Sequence, residues 1–464
     1  MSRHLYCTLE GFKYLFAPKP YLGAYVAMEA WPRGLLRYGT FDAYHNYYTD
    51  PAFQNRSFDP FTRTCQESGK LELVPLQDLA GTEPPGYDIL HFETIRPAQE
   101  IVFRTLLGDA PVPVTRRAYT IATIAHAREF LDLCLLDQGC RPYDSIVAPS
   151  RAAAEVITAY MSEIESCTQG KLRYRGRVDI IPYGLDTEEF RPVDKTGART
   201  ALELSPHAVI LLSLGRISWL TKMNYDRLLR FFAQLTRASE AELVLVVAGA
   251  DSQGESTQVL NLAARLGLSG KVRLITDFPD EQKATVYSAS DIFVSLSDSL
   301  QESLGLTLVE AMAAGLPVLC TDWDGYRDIV ADGVHGFRIP VEWRARQRPT
   351  DVLAQFRHPY DHTLIHQSSR DLKIDVRQLV SKALDLVGNA DLRRTMGERA
   401  RQRIRDEFSM KVVVARFEDL WAELKGMADL DPGEYPNLGP VLSYDYPKHF
   451  QGYPTSFAEE SRNG

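Results

Sequence analysis

Residues 303–320 read SLGLTLVEAMAAGLPVLC, an apolar stretch with one charged side chain, that of Glu310. We interpret the stretch as a loop that opens a helix at Gly305, followed by a buried strand that begins near Val318. Glycine lets the backbone approach a ligand closely, and the free N–H groups in the first turn of a helix attract anions. The stretch therefore predicts an anion site that uses the backbone N–H groups of Leu304, Gly305 and Leu306.

The carboxylate of Glu310 is a second reason to expect a ligand here. An unpaired buried carboxylate costs several kcal/mol, so this side chain must be protonated or meet polar groups, and a bound ligand would supply them. Glu302 precedes it by eight residues and is expected to stand beside the anion. From the spacing alone, an ordinary helix whose glutamate reaches solvent explains the pattern equally well.

The rest of the chain alternates predicted strands with predicted helices. In the second half, strands are expected at 209–214, 243–248, 272–275, 292–296 and 317–320, with an amphipathic helix after the first of them. In the first half we expect a helix at 24–38, a helix from Arg151, and strands near 88–91, 120–125 and 145–148. This alternation predicts parallel sheets covered by helices on both faces.

Composition narrows the class of protein. The chain has 464 residues, of which 45% are hydrophobic and 24% charged, as expected for a two-domain globular enzyme. The net charge of −9 argues against a nucleic-acid partner. The longest apolar run, 243–250, is too short to span a bilayer, and the start of the chain shows no signal-peptide pattern. The six cysteines lack paired spacing, so we expect free thiols and a cytoplasmic protein.

Several motifs follow one another along the chain. They are I-I-P-Y-G-L-D-T-E-E-F-R-P at 180–192, S-L-G-R-I-S-W-L-T-K at 213–222, A-G-A-D at 248–251, S-A-S-D-I-F-V-S-L-S at 288–297 and D-G-Y-R-D-I-V-A-D-G-V-H-G-F at 324–337. With these motifs the chain resembles the retaining glycosyltransferases of family four, the glycosyl transferases group 1. The donor-site pattern of that family, E-x-F-G-x-x-x-x-E-A-M-A-x-G-x-P-V, matches residues 302–318, with Leu304 in place of the aromatic residue.

The resemblance implies the GT-B fold, in which two facing Rossmann-like, doubly wound domains enclose a cleft. We expect an acceptor-side domain over residues 1–186 and a nucleotide-sugar donor domain over 187–410. A helix at 411–430 would cross back to the first domain, and a tail rich in Tyr, Pro and Gly would follow at 431–464. The similarity is tight over about 140–340, extends to about 425 and is loose over the first 85 residues.

The same resemblance implies a function for the donor side. The protein would move a hexose-type sugar from a nucleoside diphosphate sugar to an unidentified acceptor, with retention and without a metal or other cofactor. Arg216 and Lys222 would stabilise the leaving diphosphate, Glu302 would hold the transferred sugar, and Glu310 would bind the ribose. Lys222 follows Arg216 by six residues, where the family usually has five, and Met223 replaces a glycine.

Two further classes of function stay open at this stage. A nucleotide-sugar epimerase or a phosphorylase has the same architecture, and a non-catalytic nucleotide-sugar binding protein would need the same donor pocket. Release of nucleoside diphosphate without acceptor glycosylation would indicate an epimerase, and phosphate dependence with a lysine-bound pyridoxal absorbance a phosphorylase.

On the acceptor side the resemblance indicates His126, placed at the end of the predicted strand T-I-A-T-I-A-H, where it would approach the donor sugar. A purely structural histidine is the alternative. His91 in D-I-L-H-F-E has weaker support and is expected to pack in the core. Gly23, ahead of the first predicted helix, is the position at which the backbone would approach a phosphate.

Other patterns have plainer explanations. Asp322-Trp323-Asp324 looks like a D-x-D metal motif but is interpreted as a turn after a strand. His358, His362 and His366 are spaced like helical metal ligands but lie in a predicted loop. The arginine-rich segment 391–408 predicts either a solvated face or a peripheral membrane contact. The aromatic tail is expected to dock on the first domain or on a partner.

Overall fold

The fold was analysed in a computed structural model that describes residues 4–9, 11–12, 23–50, 59–79, 85–108, 111–219, 222–344, 353, 355–356, 372–431, 433–443 and 446–449. None of the helices in these ranges is long and apolar enough to cross a membrane. All six cysteines are free, as their spacing predicted.

The first half of the described chain forms a seven-stranded sheet of order β3-β2-β1-β4-β5-β6-β7. Every neighbouring pair is parallel. The strands are β1 (Leu5–Leu9), β2 (Ala43–Tyr48), β3 (Leu71–Pro75), β4 (Ile89–Phe92), β5 (Val114–Arg117), β6 (Ser145–Ala148) and β7 (Arg177–Ile180). The helices between them are α1 (Gly23–Tyr38), α2 (Pro60–Glu67), α3 (Pro97–Leu106), α4 (Ile124–Leu135) and α5 (Arg151–Cys167). Parallel strands need such crossover helices, which cover the faces of the sheet.

The predicted strand at 120–125 is wrong. Helix α4 begins at Ile124, after Thr123 in an extended conformation, and the strand of this region is β5, whose sequence is VTRR. Strand β5 was not predicted because its two arginines interrupt the apolar run that usually indicates a buried strand. Arg116 is buried because its Nε donates to Glu100 Oε2 over 2.7 Å, and Arg117 is buried against aromatic rings.

The second half forms a six-stranded sheet of order β10-β9-β8-β11-β12-β13, again within the described residues. All of its strand pairs are parallel. The strands are β8 (Val209–Leu214), β9 (Leu243–Gly249), β10 (Val272–Thr276), β11 (Ile292–Ser295), β12 (Val318–Thr321) and β13 (Gly336–Ile339). The helices are α6 (Lys195–Ala201), α7 (Tyr225–Ala238), α8 (Ser256–Arg265), α9 (Lys283–Ala289), α10 (Leu306–Ala313) and α11 (Tyr326–Ile329). An antiparallel pair follows, β14 (Val341–Trp343) with β15 (Leu372–Ile374). Two Rossmann-like domains are therefore confirmed, and the five strands predicted for the second half are all present.

The chain then returns to the first sheet. Helices Val376–Gly388 and Ala390–Arg403 belong to the second half, and the last long helix, Met410–Leu430, is here called the crossing helix. The crossing helix packs on the first sheet and on α1, in a core that contains Trp31, Phe417 and Trp421. Trp421 Nε1 also donates to Thr115 Oγ1 of β5 over 3.0 Å. In the tail, the Arg141 guanidinium of the first domain lies 3.7 Å from the ring centroid of Tyr435, so this part of the tail docks as the sequence suggested.

Candidate active site

Helix α10 begins where the sequence placed the anion site. Gly305 precedes it with φ 110° and ψ 61°, a left-handed conformation that favours glycine. A side chain at Gly305 would also collide with the Tyr326 ring, whose hydroxyl lies 2.6 Å from Ser295 Oγ at the end of β11. Leu304, Gly305 and Leu306 donate no backbone hydrogen bond to any described residue. The turn therefore leaves three N–H groups available beside Glu302.

Glu302 and Lys222 come together at this turn. Lys222 Nζ donates to Glu302 Oε2 over 3.0 Å, and the two side chains are 14% and 17% exposed. The Lys222 chain packs over Gly215, where an added Cβ would stand 2.7 Å from Lys222 Cε. Two residues predicted from motifs 80 positions apart therefore form one ion pair at the edge of the second sheet.

Arg216 follows Gly215 directly and is half-buried. Its Nε is buried without a hydrogen-bond partner in the described part of the chain, and burial lowers the pKa of Arg216. A desolvated guanidinium with unused donors is suited to a bidentate anion such as a phosphate.

Glu310 finds its polar partners within the protein. The carboxylate is 3% exposed, Tyr287 OH donates to its Oε2 over 2.7 Å, and Lys283 Nζ lies 3.7 Å from its Oε1. The charge of Glu310 raises the pKa of Lys283. The prediction that this carboxylate meets polar groups is confirmed, but α9 supplies them, as a hydroxyl and a cation, so its burial alone does not indicate a ligand. Its predicted contact with ribose stays a prediction.

His126 lies in the first turn of α4 and not at a strand end. Thr120 Oγ1 is 2.6 Å from its Nε2, and Thr123 Oγ1 is 2.8 Å from its Nδ1. Both ring nitrogens thus have local partners that fix the ring at the carboxyl-terminal side of β5. Gly23 is the first residue of α1, and the residues just before it lie outside the described ranges.

His91 belongs to a buried polar cluster that the sequence analysis missed. Its Nδ1 lies 2.8 Å from Thr115 Oγ1, and burial, followed by the charge of Arg117, holds the pKa of His91 well below its usual range. Glu93 accepts a hydrogen bond from Tyr119 OH over 2.7 Å and lies 3.6 Å from Arg117. Burial raises the pKa of Glu93 to about 7. His91 packs in the core, as expected.

Asp322-Trp323-Asp324 forms the turn between β12 and α11, as predicted. Asp322 Oδ1 lies 3.2 Å from Arg338 Nη1 and 3.6 Å from Arg327 Nε. Burial, and after it the charge of Glu302, raises the pKa of Asp324 well above its usual range. His358, His362 and His366 lie outside the described residues.

Comparisons with known proteins find a matching family model and several similar chains. The family model described as "Glycosyl transferases group 1" matches residues 194–347. The D-inositol 3-phosphate glycosyltransferase of Nocardia farcinica is 33% identical over 237 residues, 50% of this chain and 46% of the relative. That of Geodermatophilus obscurus is 31% identical over 292 residues, 61% of each chain. This chain spans about half the length of the curated relatives it matches most strongly.

Solved structures share the fold. The sucrose-phosphate synthase of Thermosynechococcus elongatus superposes with a TM-score of 0.59 at 16% identity, covering 92% of this chain and 100% of the other. Anabaena Alr3699/HepE, solved in complex with UDP and glucose, gives a TM-score of 0.57 at 14% identity and covers 90% of this chain and 100% of its own. At these identities the likeness establishes the two-domain fold alone.

Proposed function

We propose that the protein is a retaining glycosyltransferase that uses a nucleoside diphosphate sugar, because residues 194–347 match the family model described as "Glycosyl transferases group 1". The transferred unit is a hexose-type sugar, the acceptor is unidentified, and no metal or cofactor takes part. The family match and the names of the relatives support the reaction class. The structure of Anabaena HepE with UDP and glucose supports the type of donor.

One observation carries the proposal, namely the ion pair of Lys222 with Glu302 beside the glycine turn, with Arg216 next to the glycine over which Lys222 packs. Arg216 offers unused donors, Lys222 lies against Glu302, and the turn at Gly305 presents free backbone N–H groups. Transfer of a glycosyl unit leaves negative charge on the departing diphosphate, and fixed cations and dipoles stabilise that charge as it develops. The same groups make a metal unnecessary for this step.

We propose a reaction in which the departing diphosphate itself serves as the base. The acceptor hydroxyl attacks the anomeric carbon on the face from which the diphosphate leaves, so the new C–O bond replaces the old one with retention. The departing phosphate oxygen takes the proton of the hydroxyl. Glu302 holds the sugar hydroxyls, and His126 approaches the sugar from the first domain.

Glu310 and Gly23 complete the proposed donor site. Glu310 accepts hydrogen bonds from the ribose hydroxyls with the lone pairs that Tyr287 leaves free, since a carboxylate has more acceptor positions than one hydroxyl uses. Gly23, at the start of α1, lets the backbone approach a phosphate. We place the reaction in the cytoplasm, with any membrane contact peripheral.

A panel of nucleotide sugars tests the function. UDP-glucose, UDP-N-acetylglucosamine, ADP-glucose and GDP-mannose are added singly, and the shift of the unfolding temperature is recorded. A true donor at a hundredfold excess over its Kd stabilises the protein by about 2.7 kcal/mol. NMR of the product then reports the anomeric configuration. No shift with any member would contradict donor binding, and an inverted product would contradict retention.

The alternatives give different outcomes in the same experiment. A binding protein shows the thermal shift but releases no diphosphate with any acceptor. An epimerase releases diphosphate without a glycosylated product, and a phosphorylase depends on phosphate.

A further inference from the structure

The turn that precedes α10 contacts the first domain at Ser303, the residue after Glu302. Ser303 Oγ donates to the Tyr119 carbonyl over 2.8 Å, and the Ser303 carbonyl accepts from Ser150 Oγ over 2.8 Å. Tyr183 OH lies 3.3 Å from Ser303 Oγ. Ser303 is 6% exposed, so these hydrogen bonds are shielded from water. The hydroxyl and the carbonyl of Ser303 therefore both face the first domain.

The three partners lie at the carboxyl ends of three strands of the first sheet. Tyr119 follows β5, Ser150 follows β6 and Tyr183 follows β7, and these strands are neighbours in the sheet. Ser150 is held in turn, because its Oγ accepts from Ala153 N over 3.1 Å at the start of α5. The partners are thus fixed by the sheet and by a helix end, and they form a rigid support.

The other side of the turn is held by its own domain. An added Cβ at Gly325 would stand 2.5 Å from Leu304 Cα and 2.9 Å from the Ser303 carbonyl oxygen, so the backbones of the two segments are in contact. The turn is held between this contact and the first-domain support. A change in the placement of the first domain would therefore reach Glu302 through one peptide bond.

We propose that Ser303 is a positioning residue, which makes the place of Glu302 depend on contact between the two domains. This inference rests on the proposed function. Arg216 and Lys222 lie on the second domain, and the backbone of Leu304 is held there by its contact with Gly325, so the groups proposed to bind the diphosphate stay in place when the Ser303 hydroxyl is lost. Transfer of the sugar needs Glu302 in place. Removal of the Ser303 hydroxyl is therefore expected to lower turnover and to leave nucleotide affinity nearly unchanged.

Ser303→Ala tests this, with Ser145→Ala as its matched control. Ser145 is also a buried serine, and its Oγ donates to Asp179 Oδ2 over 2.6 Å within the first sheet. The donor is the nucleotide sugar with the largest thermal shift in the panel, and its nucleoside diphosphate is titrated by calorimetry. Ser303→Ala should lower kcat about five- to tenfold, as expected for one buried hydrogen bond, with the diphosphate Kd within about twofold. Ser145→Ala should leave both values unchanged.

A fall in kcat no larger for Ser303→Ala than for Ser145→Ala overturns the inference, as does an equal loss of diphosphate affinity. If Ser303→Ala does not fold, Tyr183→Phe replaces it, since the ring can keep its stack on Tyr119, with centroids 5.1 Å apart, while the hydroxyl is removed. A smaller fall in kcat is then expected, because Ser303 keeps its hydrogen bond to the Tyr119 carbonyl, and an unchanged kcat overturns the inference. A wild-type protein that binds no nucleotide sugar defeats the proposed function instead.

Discussion

The ammonium of Lys222 lies 3.0 Å from a carboxylate oxygen of Glu302, so two groups with different proposed roles neutralise each other. A carboxylate beside a diphosphate site would repel the phosphates if it stood alone. In the proposed site, the lysine offsets that repulsion and also contacts the phosphates. The pair would therefore let a sugar-binding carboxylate and a phosphate-binding site share one turn of the chain.

Glu302→Gln should lower turnover by at least about tenfold while the Kd for the bare nucleoside diphosphate stays nearly unchanged. A contact that matters only during transfer appears in kcat, and the substitution leaves the charge of Lys222 in place. Steady-state kinetics and calorimetry on the same preparation measure the two quantities. A diphosphate affinity that falls along with turnover would contradict the assignment to the sugar.

Glu310→Gln should differ in kind, with weaker nucleotide binding and a less stable fold. Removing an unpaired carboxylate from an apolar helix would be expected to stabilise the fold. The partners Tyr287 and Lys283 reverse that expectation, because the substitution weakens the Tyr287 hydrogen bond and leaves the half-buried Lys283 with Asp280 as its other carboxylate partner. We expect a loss of about 1 to 3 kcal/mol in the free energy of unfolding, measured by urea denaturation. Tyr287→Phe is the control that removes one hydroxyl and keeps the charge pair. Lower stability with unchanged nucleotide affinity would make Glu310 a structural residue only.

Arg216→Ala should weaken nucleoside diphosphate binding roughly ten- to a hundredfold, since charge-assisted hydrogen bonds contribute about 1.5 to 3 kcal/mol each. Calorimetry on the folded variant measures the change. Arg230→Ala is the control, because Arg230 is an exposed cation paired with Asp226 on α7. Equal affinities for the two variants would remove Arg216 from the site.

Stability should decrease as pH rises through the titration of Glu93. Burial raises the pKa of Glu93 to about 7, above its unfolded value of about 4.3, so the folded state binds the extra proton between these two values. The contribution is therefore fully present below about pH 4 and is lost as pH rises through about 7. We expect Glu93→Gln to remove this loss. In urea denaturation at pH 5 and pH 8, the variant should therefore be more stable than wild type at pH 8 only. The exposed Glu240→Gln should behave as wild type at both values, and an identical pH dependence in Glu93→Gln and wild type would contradict the assignment.

The sequence predicted the second domain better than the first for a physical reason. Strands such as β9 are continuous apolar runs, which a parallel sheet buries on both faces. Strand β5 contains Arg116 and Arg117, whose burial depends on Glu100 and on aromatic rings. Some of these partners are distant in the sequence, and none can be recognised as a partner from the sequence alone. A local sequence pattern does not show such partners, so the strand was predicted a few residues too late in the chain.

The residues of the candidate site also fall into two groups, those that the sequence indicated and those that it did not. Glu302, Lys222 and the glycine turn lie in the motifs through which the chain resembles the family, so the resemblance indicated them in the sequence. The partners of Glu310 on α9 and those of Ser303 on the first sheet are set by packing between separate elements. A lysine and a tyrosine four residues apart on a short helix are too common a pattern to indicate such a role.

The return of the crossing helix has a consequence for biosynthesis. Trp31 and its neighbours in the first domain are covered by Phe417 and Trp421, which are translated long after the first sheet is complete. About 230 residues separate Ile180 from Met410, and at roughly 5 to 20 residues per second a ribosome needs about 10 to 50 s to make them. Throughout that interval the nascent first domain exposes an aromatic surface, so its final burial waits for the last part of the chain.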